Sequence, residues 1–146
     1  MEERYIITVI GKQTVDGESD KIEVFTAGDM TVEDGRITIT YPEYPEDRPE
    51  LKTETTVTLE NGVLSIDRQG EMSSHLILEK GKRHECLYNT PMGQMFIGIF
   101  TDDIKVDLNE KGGEITAAYQ LDFNRTVVSY NEFYISVKEK IIKPSP

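Results

Sequence analysis

The sequence predicts an all-β fold, a single antiparallel up-and-down barrel of about 8–10 strands. In the segment 88–123, apolar and polar residues alternate on both sides of the Gly-rich turn 109–113, which is typical of antiparallel strands with one buried face. No segment has the 3.6-residue period of a helix, and turn signals recur about every 8–12 residues. Because the connections are of hairpin length, a meander is favoured, and closure into a barrel removes its exposed edges.

The first half of the chain contains strands separated by short turns. Both faces of the first strand are mostly apolar, so both are expected to be covered in part. Gly28 marks a bend or bulge in the second strand, and Asp34-Gly35 and Asn61-Gly62 are typical hairpin turns. Three of the six prolines lie in Pro42 to Glu50, which is predicted to be a loop outside the sheet. Strands are predicted at residues 5–10, 22–32, 37–41, 53–59 and 63–66.

The second half of the chain continues the same pattern, with a Gly-containing turn after almost every apolar run. In the last strand, Phe133, Ile135 and Val137 are predicted to face the core. The tail, about residues 139–146, ends in IIKPSP and is expected to be frayed. Strand segments are predicted at residues 72–78, 83–90, 95–101, 104–108, 115–123 and 131–137.

The composition indicates one acidic domain spanning residues 1–146, long enough to bury a sizeable core. Asp and Glu number 27 against 16 Lys and Arg, giving a net charge of -11. Such a surface repels the phosphates of nucleic acids and anionic lipid head groups. Two small basic clusters, 80–83 and 138–143, are interpreted as solvated turns and chain ends. We therefore expect neither a nucleic-acid partner nor a membrane partner.

The sequence also predicts a cytoplasmic location. Its N-terminus, MEERYIITVIG, lacks the pattern of a signal peptide, and no stretch approaches the roughly 20 apolar residues of a membrane span. A single cysteine, Cys86, excludes an internal disulfide. The glycosylation sequon at Asn124-Arg125-Thr126 is then a chance match.

Two segments resemble a known family. YNTPMGQMFIGIFTDDIKVDLNEKGGEITAAYQLDF, at residues 88–123, resembles the C-terminal half of the YwiB-like proteins, small bacterial proteins catalogued as a domain of unknown function. VEDGRITITY and TETTVTLENGVLSIDRQG, between Met30 and Gly70, are similar to their first half. The likeness covers about residues 4–139. It implies a calycin-type, lipocalin-like β-barrel, but it implies no reaction and supplies no catalytic residues.

His84 and Cys86 are the first candidates for chemistry. Two residues apart on a predicted strand, they share a face and could provide two ligands to zinc or copper. Only His75 and carboxylates could complete the set, and a partly buried thiol beside an imidazole is the simpler interpretation. A Cys-His nucleophile pair lacks a third group to orient the imidazole. The sequence therefore indicates no metal site, no cofactor and no catalytic residue.

Carboxylates cluster near the long C-terminal hairpin, at Asp102, Asp103, Asp107 and Asp122. Paired carboxylates can perform acid–base chemistry at the right separation, but chance pairs are frequent in so acidic a chain. Asp107 and Asp122 fall on the polar phase of their strands, so they are expected in solvent. Asp16, Glu18 and Asp20 alternate as calcium ligands can, but their loop lacks the remaining positions of an EF-hand.

The barrel interior is the remaining candidate site, because small barrels either fill their interior or keep room for one ligand. Ala117 and Gly98 would leave space, and tyrosine hydroxyls could orient an amphipathic ligand. Arg68 follows Leu64 and Ile66 in phase, where a guanidinium would suit a carboxylate head group, as in fatty-acid carriers of the superfamily. The alternative is ordinary core packing, with Arg68 in water at a strand end. The candidate ligand-binding residues are Arg68, Tyr88, Tyr119, Phe123 and Phe133.

Two functions of different classes follow from these observations. The first is a non-enzymatic barrel that binds a small apolar or amphipathic molecule in its interior. The alternative is a solid barrel that acts as an interaction module or homodimer, through the first strand or through the face of Phe96 and Phe100. The proline-rich segment 42–50 could serve as a portal lid or only as an exposed connection. No cluster of residues supports an enzyme.

Overall fold

Ten strands form a closed barrel, in the computed structural model that describes residues 4–44, 50, 52–70, 73–90 and 93–140, with only the backbone described for residues 88–90. The strands are β1 (Tyr5–Val15), β2 (Glu18–Glu33), β3 (Arg36–Glu43), β4 (Thr53–Glu60), β5 (Val63–Gln69), β6 (Ser74–Glu79), β7 (Arg83–Thr90), β8 (Gly93–Asn109), β9 (Gly112–Phe123) and β10 (Thr126–Glu139). Each pairs antiparallel with its neighbours in sequence, and β1 pairs with β10 to close the ring. The predicted all-β, up-and-down barrel is confirmed. The described part contains no helix suited to crossing a membrane.

Several hairpins close through two-residue turns whose central residues both have positive φ, as type I′ turns require. The φ angles are 49° and 80° at Asp16-Gly17, 47° and 79° at Asp34-Gly35, and 53° and 78° at Asn61-Gly62. Gly at the second position adopts this conformation without the steric cost of a Cβ. The predicted turns at Asp34-Gly35 and Asn61-Gly62 are confirmed, and they set the register of the strands beside them.

The β9–β10 turn has the same shape but places Arg125, with φ 67°, where other turns have Gly. Left-handed backbone costs an ordinary residue roughly 1–2 kcal/mol. Gly avoids this steric cost but loses more conformational entropy on folding, so the net gain from Gly is smaller. Arg125→Gly is therefore expected to stabilise the protein by about 0.5 kcal/mol, measured by urea denaturation. Asn124→Gly is the matched control, with a smaller gain because Asn tolerates this region. A loss of stability in Arg125→Gly would contradict the prediction.

Several predicted boundaries are corrected by the strand register. Pro42 and Glu43 belong to β3, opposite Glu54 and Thr53, so the predicted loop does not include them. Pro42 is tolerated near the end of the strand, where a missing N–H costs little; residues 45–49 of the predicted loop lie outside the described residues. The segments 95–101 and 104–108 are one strand, β8, with a register shift between Thr101 and Asp103.

The structure refines the predictions for Gly28 and for the C-terminal strand. Gly28 forms the last pair of the β1–β2 ladder, with Tyr5, and pairing with β3 begins at Asp29, so β2 changes partner here without a register shift in either ladder. A Cβ at Gly28 would overlap Ile7 and the carbonyl oxygen of Thr40, so the position is restricted to Gly by close packing. Glu139 still pairs with Tyr5 in the β10–β1 ladder, and residues 141–146 of the predicted tail lie outside the described residues.

One end of the barrel is filled by apolar side chains. They come from alternate positions of nearly every strand, as the period of two requires. Phe133, Ile135 and Val137 of β10 are buried, as predicted. The largest fully buried side chains are Ile7, Met30, Ile39, Tyr41, Val57, Leu64, Ile66, Leu78, Ile99, Ile115, Ile135 and Val137.

The ladder between β6 and β7 is the weakest in the described barrel. Only Ser74 and Tyr88 are paired across it, whereas β5 and β6 pair from Val63 to Arg68. The thiol of Cys86, whose side chain is buried, hydrogen-bonds to the backbone of Ile77 across this interface. Side-chain packing thus replaces most of the backbone ladder here, and we call this interface the seam.

Candidate functional site

The end of the barrel opposite the packed core contains a cavity of about 270 Å³. Gln13, Asp20 and Ile22 lie at its mouth and are exposed, so the cavity communicates with solvent. Its walls are mostly apolar or aromatic, and the residues responsible are Val9, Val24, Leu76, Tyr119, Leu121 and Phe133. The alternative of an interior completely filled by side chains is therefore not what the structure has.

One wall of the barrel interior is polar. Tyr41, Thr55 and Arg68 are successive partners across β3, β4 and β5, and Glu43 is the next inward residue of β3. Because directly opposed residues project to the same face of a sheet, these four side chains converge inside the barrel. The Thr55 hydroxyl donates to Glu43 Oε2 at 2.9 Å, and Arg68 Nε lies 3.4 Å from the same oxygen as an ion pair. Glu43 and Arg68 line the cavity directly.

Two polar atoms of this wall are buried without a hydrogen bond. Among the described residues, the Tyr41 hydroxyl and the Arg68 Nε–H have no hydrogen-bond partner of good geometry. Burial, followed by the negative charge of Glu43, raises the pKa of Tyr41 far above its usual value, so its hydroxyl stays protonated. Arg68 lines the cavity and Tyr41 does not, so of the two only Arg68 is placed to meet a molecule in the cavity.

The structure brings together three of the five predicted ligand-binding residues. Arg68, Tyr119 and Phe133 line the same cavity. Phe123 lies at the end of β9, is 43% exposed and is not part of the cavity wall. The side chain of Tyr88 lies outside the described residues. The side chain of Arg68 is only 32% exposed and is paired with Glu43. Arg68 therefore does not lie free in water at a strand end.

Sequence reasoning missed Glu43 and Thr55. The sequence predicts Glu43 within the proline-rich loop, because proline lacks the N–H that a strand ladder needs. Thr55 alternates with Val57 in a run rich in β-branched residues, so it resembled an ordinary core position. Thr55 lies two residues from Val57 and shares its face, so the inward direction of Thr55 could be predicted. Only the strand register shows that Thr55 is opposite Tyr41 and Arg68.

The other sequence candidates have separate partners. His84 Nε2 lies 3.0 Å from Glu79 Oε1, whereas burial of Cys86 raises the pKa of its thiol and disfavours the thiolate that metals and nucleophilic catalysis need. Asp102 accepts from Gln120 at 3.1 Å, and Asp103 pairs with Lys80 at 3.2 Å. Within the described ranges, no three His, Cys, Asp or Glu side chains are grouped to hold a metal ion.

The prediction that Asp122 faces solvent is wrong. Its side chain is 8% exposed and receives two hydrogen bonds from Arg83, from Nε to Oδ2 at 2.9 Å and from Nη2 to Oδ1 at 2.7 Å. The amide of Arg125 also donates to Oδ1, at 3.1 Å. Arg83, more than burial or other neighbours, holds the pKa of Asp122 below its usual range. Gly98 leaves the space, since a Cβ there would overlap this pair.

A wider concavity of about 550 Å³ lies against β1, β2, β8, β9 and β10, with outward-facing Ile10, Ala118 and Tyr134 among its lining residues. Three lysines and three carboxylates on its walls balance in charge: Lys12, Lys21, Lys105, Asp20, Asp103 and Glu132. None of the buried polar atoms without a hydrogen-bond partner in the described residues belongs to its lining. We therefore regard the smaller interior cavity as the candidate site.

The two faces predicted for self-association differ in what they expose. β1 is paired on both edges, with β2 and β10, so it offers no free edge. Phe96 is 66% exposed beside its cross-strand partner Leu87, which is 41% exposed. Phe100 is only half-buried. Dimerisation through either face stays a prediction.

Comparison with known proteins identifies the fold. The model of a family described as a domain of unknown function (DUF1934) matches residues 7–135. The crystal structure of the ywiB protein from Bacillus subtilis is similar, with a TM-score of 0.82 and 21% sequence identity, over 95% of this chain and 93% of that chain. No curated protein matches significantly. The resemblance to the YwiB-like family is thus confirmed, and so is the antiparallel barrel. At this identity, the likeness to a solved structure concerns the fold alone.

Proposed function

The chain belongs to the family of the domain of unknown function DUF1934, and from the geometry of its barrel we propose that it binds a small amphipathic molecule in the interior cavity. The observation that carries the proposal is the mostly apolar cavity, in whose wall the Glu43–Arg68 pair supplies the polar groups. A ligand with an apolar body and a hydrogen-bonding head group would fit both parts of this wall.

The size of the cavity limits the ligand. A volume of about 270 Å³ is just below the roughly 300–1,000 Å³ of most small-molecule pockets. The ligand is therefore a short molecule rather than a long-chain lipid. Leu76, Leu121 and Phe133 would contact its apolar part.

The charges on the polar wall limit the head group. Arg68 is already neutralised by Glu43, with 3.4 Å between Nε and Oε2. A free carboxylate would meet the repulsion of Glu43 as well as the attraction of Arg68, whereas a neutral carbonyl accepts hydrogen bonds without adding charge. We propose a carbonyl-type head group, such as an amide, in place of the carboxylate expected from Arg68 alone.

Calorimetric titration with hexanamide, hexanoate and hexylammonium tests this proposal, because the three probes share a chain and differ in head group. Hexanamide is expected to bind most tightly. Native mass spectrometry without added ligand, beside a denatured control, is expected to show an additional mass that denaturation removes. Tighter binding of hexanoate would reject the neutral head group. Absence of both probe binding and additional mass would reject the cavity as a binding site.

Tyr41→Phe is expected to stabilise the protein. The variant removes a buried hydroxyl that has no hydrogen-bond partner among the described residues, so the free energy of unfolding should rise by about 1 kcal/mol, measured by urea denaturation. Tyr134→Phe is the matched control, because that hydroxyl donates to Glu114 on the exposed surface and its loss should not stabilise the protein. A loss of stability in Tyr41→Phe would contradict the prediction.

A further inference from the structure

Half of β2 has an unpaired edge. Residues 18–27 pair with β1 on one side, but pairing with β3 on the other side begins only at Asp29. No strand in the described part of the chain pairs with this second edge. Its backbone N–H and C=O groups therefore offer a template for another strand. We call residues 18–27 the open edge.

The open edge carries the two most exposed large apolar side chains of the described residues. Phe25 is 74% exposed on the outer face and Ile22 is 70% exposed on the inner face. Proteins usually protect such edges with proline, a bulge or charged side chains. The segment 18–27 contains no proline, and its ladder with β1 has no register shift. Its charged side chains, Glu18, Asp20, Lys21 and Glu23, allow another strand to pair only in a register that matches opposite charges.

We infer that the open edge is the pairing site for a second copy of this chain, related by a two-fold axis that places Ile22 opposite Ile22 of the partner. In an antiparallel pair, directly opposed side chains point to the same face of the sheet. The two-fold axis must therefore pass beside one residue and its own copy, not between two successive residues. The longest overlaps are centred on Ile22 or on Glu23. A centre at Glu23 opposes two identical carboxylates, which is destabilising.

The register centred on Ile22 is complementary in charge. It places Lys21 opposite Glu23 of the partner, and the two-fold axis repeats this pair. Asp20 then faces Val24 and Glu18 faces Thr26, so no like charges are directly opposed. Within one chain, Lys21 Nζ and Glu23 Oε2 are 4.0 Å apart and both side chains are largely exposed, so they are available to a partner. Ile22 lines the mouth of the cavity, so the dimer would border both cavities.

Sedimentation equilibrium of the full chain at micromolar concentrations tests the inference. The wild type is expected to dimerise. Lys21→Glu should weaken the dimer about tenfold, because two attractive pairs become repulsive. The double variant Lys21→Glu/Glu23→Lys should restore it. Lys111→Glu, in the exposed β8–β9 turn, makes the same charge change away from the edge and should have no effect. A wild-type monomer at every concentration, or a dimer indifferent to Lys21→Glu, would overturn the inference.

Cross-linking tests the register independently. Directly opposed residues have Cα atoms about 4.5–5.5 Å apart, within the range of a disulfide. Ile22→Cys, at an exposed position that tolerates change, should form a covalent dimer with oxidised glutathione, whereas Val24→Cys should not. Cross-linking of Val24→Cys but not of Ile22→Cys would reject the register. Neither result depends on whether the cavity holds a ligand. Failure of the cross-link would therefore reject the dimer without rejecting the proposed ligand binding, which the calorimetric titration tests separately.

Discussion

Gly113→Ala is expected to destabilise the barrel by about 3–5 kcal/mol. Gly113 is the second residue of β9, opposite Leu108 of β8, and has a φ of 138°, where an L side chain is strained. A Cβ would also overlap the backbone carbonyl oxygen of Asp107. That oxygen belongs to the β8–β9 ladder, so it cannot withdraw as a flexible side chain would. Urea denaturation followed by circular dichroism measures the loss.

Gly11→Ala is the matched control for this prediction. Gly11 also lies in a strand, β1, but nothing lies within 4 Å of the position its Cβ would take, and its φ is not in the left-handed region. Its free energy of unfolding should change by no more than about 0.5 kcal/mol. If both variants behave alike, the close approach of β8 and β9 at Gly113 does not have the energetic role assigned to it.

Asp122→Asn is expected to lower the melting temperature at neutral pH and to have a much smaller effect in acid. Asn cannot reproduce the two charge-assisted bonds from Arg83. Because Arg83 lowers the folded-state pKa of Asp122, its charge stabilises the fold fully above the unfolded-state value of about 3.9. That stabilisation is lost as the pH falls through the folded-state pKa. Melting curves of both proteins should therefore converge at low pH.

Asp107→Asn provides the comparison, because Asp107 is exposed on the neighbouring strand and forms no ion pair with a Lys or Arg side chain in the described part of the chain. Its melting temperature should change little across the same pH range. A difference between wild type and Asp122→Asn that stays constant from neutral to acidic pH would show that the substitution acts through packing rather than through charge.

Much of the barrel could be predicted because its determinants are local. Asp34-Gly35 and Asn61-Gly62 encode their turns through the φ angles that Gly permits, and alternation assigns each neighbouring residue to a face. The predicted strand boundaries were wrong at two places where the structure departs from a local rule. Pro42 sits within β3 because it lies near the end of the strand, and β8 continues through a bulge at Thr101/Asp103.

The candidate site was less predictable because it depends on register. Arg68 was recognised by its phase with Ile66, and Tyr119 and Phe133 by alternation, and the structure places all three at one cavity. Glu43 could not be matched to Arg68 from sequence, since the long β3–β4 connection and the Asn61-Gly62 turn determine how β3, β4 and β5 align. Asp122 followed the polar phase, but a partner 39 positions away in the chain, Arg83, buries it.

The seam between β6 and β7 has a consequence for hydrogen exchange. Amides without a ladder partner rely on local packing to exclude solvent, so they open with a smaller free energy than the global unfolding. Only Ser74 and Tyr88 are paired there, whereas β9 and β10 pair along most of their length. Deuterium should therefore enter the β6–β7 hairpin, around Ile77 and Cys86, before it enters β9 and β10. Separation at the seam would widen the ring beside Leu76, a cavity residue. The proposed ligand would then have a second route inward, besides the mouth at Gln13, Asp20 and Ile22.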